Sequence, residues 1–326
     1  MRRLPVLLAS ASLAVLVACG DNTPTSNSAP DDIAGRFAPP NVRSHGLPIL
    51  RTAHMHRLDP DRIRDRIRFN IDLRYLVPPS ASSEAAFETA RKKWQSIVIK
   101  DVAAVEGLLP QSECFQGIPD FDGTVDDILI DVLLIPIDGP GNILGAAGPC
   151  FVRTSNSLPL SGVMIFDTED LAFLESFGLL DEVVVHEMGH VLGFGTIWDF
   201  NRTLLAGAGT GSPTYTGRLG NLLYKALGGR GPLPVEGDFG PGTADSHWDE
   251  DRFDNELMTG FLNLGENPLS VITAGSMSDL GYGAIPNGEK YRLPAPPAAT
   301  ALRAAPGQGI NIAQQEELYR PKAAVE

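Results

Sequence analysis

An α+β fold is predicted by three features of the chain. An alternating segment is followed by a helix-spaced one, two apolar runs read as strands, and a later helix carries His186-Glu187-Met188-Gly189-His190. The alternation lies in Ile67-Arg68-Phe69-Asn70-Ile71-Asp72-Leu73, with the period of a half-buried strand. Ser82 or Ser83 can cap the next helix, in which Phe87, Ala90, Trp94 and Ile97 recur at helical spacing and mark a core-facing stripe. Residues 128–137 are strongly apolar and strand-like, and residues 162–167 give a further short strand. In the helix that follows, Val184, Met188, Val191 and Leu192 fall opposite the histidine face, and Gly193 ends it where a positive φ is cheap. Strand, helix, strands and then this helix make an α+β arrangement.

The helix is where chemistry concentrates. Histidines at i and i+4 lie about 40° apart around a helix, one turn along, so both imidazoles can reach one ion. Zinc accepts neutral imidazole readily, and a catalytic zinc keeps three protein ligands and an open position. Glu187 projects from nearly the same face, placed to take a proton from a water there; this is the HExxH pattern of zinc hydrolases. Chance occurrence on an ordinary helix is the plain alternative, and a chain with 6 histidines gives it little room. A third ligand has to come from elsewhere. The next glutamate, Glu236, stands in a Gly- and Pro-rich stretch without a helical pattern around it. The extended motif HExxHxxGxxH is met at Gly193, but Thr196 occupies the last position. His45, His54 and His56 lie in a polar N-terminal segment, whereas His247 comes shortly before Glu256-Leu257-Met258-Thr259.

The run 186–198 (HEMGHVLGFGTIW), a long insertion, 246–250 (SHWDE), 255–260 (NELMTG) and 267–282 (NPLSVITAGSMSDLGY) resemble the leishmanolysin-like metallopeptidases, particularly their bacterial members. In that family an insertion after the glycine displaces the third histidine, and a methionine turn follows. The resemblance covers about residues 65–293 and is specific in its second half. It implies a zincin-like metzincin fold, with a mixed twisted sheet and the active-site helix in an upper subdomain and a largely irregular and helical lower subdomain. It also implies one catalytic zinc on His186, His190 and His247, with Glu187 as base and Met258 beneath the metal. Trp248, next to the third ligand, is expected to pack and hold it.

The termini suggest where such an enzyme would work. Arg2 and Arg3 precede an apolar run over residues 4–18, too short to span a bilayer but suited to a secretory signal. Leu16-Val17-Ala18-Cys19 resembles the lipobox of bacterial lipoproteins, which implies cleavage before Cys19, lipidation there and anchoring by acyl chains. A plain secretory signal is the alternative. Gly20, where an aspartate commonly retains lipoproteins in the inner membrane, favours the outer membrane in a two-membrane envelope. Of 3 cysteines, Cys114 and Cys150 then remain, and in an exported protein they most simply pair. No spare thiol is left for the propeptide cysteine by which several relatives hold the zinc inactive.

The expected organisation is a signal peptide at 1–18, a flexible tether at 19–63, a catalytic domain at 64–293 and a mobile Pro/Ala-rich tail at 294–326. The insertion 201–246 is glycine-rich, with one short helix around 218–227. Pro268 at the first helical position and Gly281 past the end bracket a last helix. A formal net charge of −14 disfavours nucleic acid and anionic membrane surfaces as partners. The acidic runs 120–131 and 249–254 lack the regular calcium-loop pattern and read as solvated loops, so calcium is possible but unsupported. The expected partner is an extended polypeptide substrate, paired along a sheet edge within residues 142–153, and the expected state is a monomer. Two rival readings are a zinc hydrolase acting on a non-peptide envelope amide, and a non-catalytic zinc-containing surface binding protein.

Overall fold

Parallel pairing at the centre of one sheet sets the architecture, which a computed structural model describes at residues 51–53, 68–141, 143–200, 203–295 and 310–325. The signal segment, Cys19, His45, His54, His56 and most of the expected tether lie outside the described residues. The chain runs β1 (Arg51–Ala53), β2 (Ile71–Tyr75), α1 (Ala81–Ile97), β3 (Val105–Leu109), α2 (Gln111–Cys114), β4 (Phe121–Val125) and β5 (Ile128–Ile135). It continues with β6 (Gly145–Arg153), β7 (Pro159–Asp167), α3 (Thr168–Ser176) and α4 (Leu180–Val191), the histidine helix. The insertion holds β8 (Leu205–Ala206), β9 (Thr214–Tyr215), α5 (Arg218–Ala226) and β10 (Leu233–Pro234). Then come α6 (Glu250–Phe253), β11 (Phe261–Leu262), α7 (Val271–Leu280), β12 (Ile310–Asn311), β13 (Glu316–Leu318) and β14 (Ala323–Val325).

The main sheet has 7 strands in the order β1-β2-β5-β7-β6-β13, with β14 also on β6. β2, β5 and β7 run parallel, and β6 returns antiparallel to β7. Strands covered on both faces need continuous apolar sequence, which the ILIDVLLI of β5 supplies. Pro149 cannot donate to a ladder, and the β6–β7 register shifts beside it, between Pro149 and Phe151. No described helix is long and apolar enough to cross a membrane.

Several expectations shift. Ser80, not Ser82 or Ser83, caps α1: its ψ of 162° is extended, and its hydroxyl accepts the Ser83 amide at 3.1 Å. The last helix starts at Val271 rather than at Pro268, because Ser270 Oγ takes the amides of Ile272 and Thr273. The acidic run 120–131 is not a solvated loop; β4 and β5 run through it, and Asp131 is buried. Arg74 on β2 pairs with both Asp131 oxygens, and Gln111 donates to Asp131 Oδ2 at 2.8 Å, which makes that burial tolerable. The largest departure is at the C-terminus. Residues 310–325, expected as a mobile tail, contribute β12, β13 and β14, because the outer edge of β6 offers unpaired backbone groups that an extended segment satisfies.

A disulfide joins Cys114 to Cys150, so α2 is tied to β6 across a sequence separation of 36. On the chain-entropy model a loop of that length stabilises the fold by about 3–4 kcal/mol.

Candidate metal centre

The position of α4 is fixed from both ends. Its middle is held by Trp94 of α1, whose buried indole donates to the Val185 carbonyl at 2.9 Å. Its residues from Val183 to Val191 are all buried, so the helix is enclosed rather than amphipathic at the surface. Past the C-terminus the chain reverses through Gly193 (φ 104°) and Gly195 (φ 73°). A Cβ on Gly195 would stand 2.2 Å from the Ser246 carbonyl oxygen, so only glycine lets the segment carrying His247 pass this close. Thr196, in the position of the extended motif's last histidine, instead caps the helix by donating to the His190 carbonyl at 2.7 Å.

The three histidines converge. Their Nε2 atoms lie 3.0 Å (His190–His186), 3.0 Å (His190–His247) and 3.2 Å (His186–His247) apart. Each Nδ1 faces a backbone carbonyl: His186 to Leu257 at 2.7 Å, His190 to Phe194 at 2.9 Å and His247 to Thr243 at 3.1 Å. A carbonyl only accepts, so every Nδ1 carries the proton and every Nε2 presents a lone pair. All three rings are fully buried. Burial pushes His186 down to about 3, His190 well below the usual histidine range and His247 down to about 4. Three neutral imidazoles with lone pairs aimed at one point repel one another unless a cation is shared among them. This donor set therefore fits a metal ion.

Two carboxylates complete the cluster. Glu187 is buried beside the histidines, and neither of its oxygens finds a hydrogen-bond donor among the described residues. Glu316 of β13 places Oε1 at 3.1 Å from His247 Nε2 and Oε2 at 3.7 Å from His186 Nε2. With neutral histidines these contacts are not ion pairs; they are a fourth donor facing the same point, and the four side chains form a buried metal-capable group. Burial and the adjacent Glu316 carboxylate raise Glu187 well above the usual carboxylate range, and burial pushes Glu316 up to about 7. Two buried carboxylates in contact hold a proton between them or need a positive ion nearby.

The turn after His247 supports the ligands from below. Trp248 is buried, donates its indole N–H to Thr273 Oγ1 at 2.8 Å and its amide to the Met258 carbonyl at 3.0 Å. Met258 lies under α4: a Cβ on Gly189 would meet its Cε at 3.0 Å. Glu256 organises this turn. Its fully buried carboxylate accepts the amides of Met258 at 2.7 Å and Ser270 at 2.9 Å and the Thr273 hydroxyl at 2.5 Å. That fixes the Leu257 carbonyl to which His186 donates.

The structure thus brings together His186, Glu187, His190 and His247, with Gly193, Trp248 and Met258 around them. Sequence reasoning missed Glu316 and Glu256. Glu256 lies two residues before Met258, and its place beside that methionine was its signal in the sequence. One other acidic group, Asp101, Asp126 and Asp127, gathers at ligand-like separations. There Asp127 already accepts the amides of Val102 and Asn70, so it lends calcium no support. Comparison with known proteins finds no matching family model and no matching curated protein, and the reading of the site rests on its geometry.

Proposed function

We propose that this chain is a zinc-dependent endopeptidase of the metzincin type, cutting extended polypeptide. The observation that carries the reading is the triangle of neutral, carbonyl-locked histidines with Glu187 on the same helix. Nitrogens about 2.0–2.1 Å from a tetrahedral ion stand about 3.3–3.4 Å apart, close to the separations seen here, and imidazole donors suit zinc. When bound, zinc would polarise the scissile carbonyl and acidify a water. Glu187 takes the proton of that water as it adds to the carbonyl carbon, and returns it to the nitrogen as the C–N bond breaks. The outer edge of β6 offers the backbone groups that pair with an extended peptide, a mode that recognises polypeptide without demanding a sequence. A lipid anchor at Cys19 would hold the enzyme at a bacterial envelope.

One observation favours a second reading. Glu316 supplies a fourth protein donor, and four protein donors describe a structural zinc site in a non-catalytic surface protein. Glu187 has no part to play in such a site, although its burial without a donor costs stability. An unbiased peptide library, incubated with zinc-loaded Glu316→Ala protein, which frees the fourth position, and with the same protein also carrying Glu187→Ala, separates the two. The proposal expects cleavage that is lost by roughly 10³-fold or more in the double variant while zinc is retained. Equal cleavage by both would overturn Glu187 as the base, and no cleavage by either would favour the structural site.

A further inference from the structure

Resting on the peptidase reading above, we propose that the chain carries its own occupant for the peptide-binding edge. Residues 310–325 occupy that edge, Glu316 is the fourth protein ligand of the metal, and hydrolysis awaits displacement of this segment. Four observations meet here. First, β13 pairs parallel with Gly145–Ala147 of β6 and β14 with Phe151–Arg153, on the edge that β7 leaves free. Beyond the strands, Leu144 donates to the Gln315 carbonyl at 2.7 Å, Tyr319 to Ala147 at 2.8 Å and Lys322 to Cys150 at 2.9 Å. These are the backbone groups that an extended substrate would have to use.

Second, the segment bridges the site. Before β13 it is fastened to the segment that follows Met258, where β12 pairs with β11 and the Ala313 amide donates to the Gly260 carbonyl at 3.1 Å. Ile312 and Ala313 are fully buried in that stretch. Third, the edge is shaped for this strand: a Cβ on Gly148 would stand 2.3 Å from the Tyr319 carbonyl oxygen. Fourth, β13 turns the buried carboxylate of Glu316 toward three imidazole lone pairs, and no N–H among the described residues donates to it. A purely structural strand would place an apolar residue there, because an unpaired buried carboxylate is costly. A carboxylate aimed at three imidazole lone pairs fits a ligand of the ion they would hold. It occupies the position that water or a scissile carbonyl needs, so latency is provided by carboxylate rather than by thiol, in keeping with both described cysteines being bridged.

Cobalt(II)-loaded full-length protein tests this, with sodium azide as a probe of the open coordination position and visible absorption as the readout. Glu316→Ala should bind azide roughly tenfold or more tightly than the unaltered chain. Tyr319→Pro, which removes the amide bond to Ala147 and leaves Glu316 in place, should move azide affinity the same way by less. It should also speed hydrogen exchange of residues 145–153. Peptide hydrolysis, measured on the zinc forms, should rise in both variants. Equal azide affinity in all three proteins would overturn the proposal, whatever the hydrolysis. An azide response without hydrolysis in any variant would keep Glu316 as a ligand and remove the peptidase reading instead. Full hydrolysis by the unaltered chain with no azide response in Glu316→Ala would remove the occupant and keep the peptidase.

Discussion

Glu187 and Glu316 reach the same three histidines from two very different kinds of backbone. Glu187 sits within α4, a 12-residue helix buried from Val183 to Val191 and tied to α1 through Trp94. Glu316 opens β13, a 3-residue strand laid on the outer edge of the sheet. Removing the helix from its place would expose the core, whereas the strand is held by edge hydrogen bonds, by the Phe115–Tyr319 ring contact and by the burial of Ile312, Ala313 and Glu316. Local opening follows the number of buried contacts and the exposure of backbone bonds, so the strand belongs to the less protected end of the molecule and the helix to the more protected end. One acid is therefore built to stay, and the other can leave.

The largest effect is expected on the ligand side of this comparison. His247→Ala should lower zinc affinity by roughly 100-fold or more, checked by elemental analysis after dialysis, because two nitrogens and a displaceable carboxylate hold the ion poorly. Zinc retained at full stoichiometry would mean that Glu316 binds as firmly as the helix residues, and the contrast would break. Next comes the support beneath the helix. Glu256→Ala strands two buried amides and the Thr273 hydroxyl, and should cost about 3 kcal/mol or more in urea unfolding. It should weaken zinc binding too, through the Leu257 carbonyl that orients His186.

The smallest effect is one of pH, away from both acids. Burial, with Asp254 and Glu236 nearby, pushes Glu250 up to about 8. A carboxyl whose pKa is raised on folding stabilises the protein while protonated. That contribution is full below the unfolded value near 4.5 and is lost as pH rises through 8. Glu250→Gln should therefore gain about 1 kcal/mol relative to the unaltered chain at pH 9 and nothing at pH 4, read by thermal unfolding. A gain at pH 4 of the same size would show that packing, not charge, is responsible.

What was legible in the sequence follows the same divide. The helix announces itself through local spacing: His186, Glu187 and His190 lie within one turn or so, and Gly193 marks its end. Apolar runs gave β5 and β7 to within a few residues, since continuous burial needs continuous hydrophobicity. Glu316 was hidden for opposite reasons. It is 126 residues from His190 (316 less 190), and it belongs to Gln314-Gln315-Glu316-Glu317, a polar run that reads as solvent-facing. A strand held by its neighbour's free edge needs no apolar pattern of its own. The Arg74–Asp131 pair was illegible for a related reason, because each charge is acceptable in the core only once the other is known to be there.

If one metal ion sits between the helix acid and the strand acid, it will be seen directly. An anomalous difference map at the zinc edge, from crystals of the zinc-loaded full-length protein, tests it most directly. The account predicts one strong peak bounded by Nε2 of His186, His190 and His247 and by the Glu316 carboxylate, with Glu187 beside it but not bound. No peak there, or a peak among Asp101, Asp126 and Asp127 instead, would contradict it.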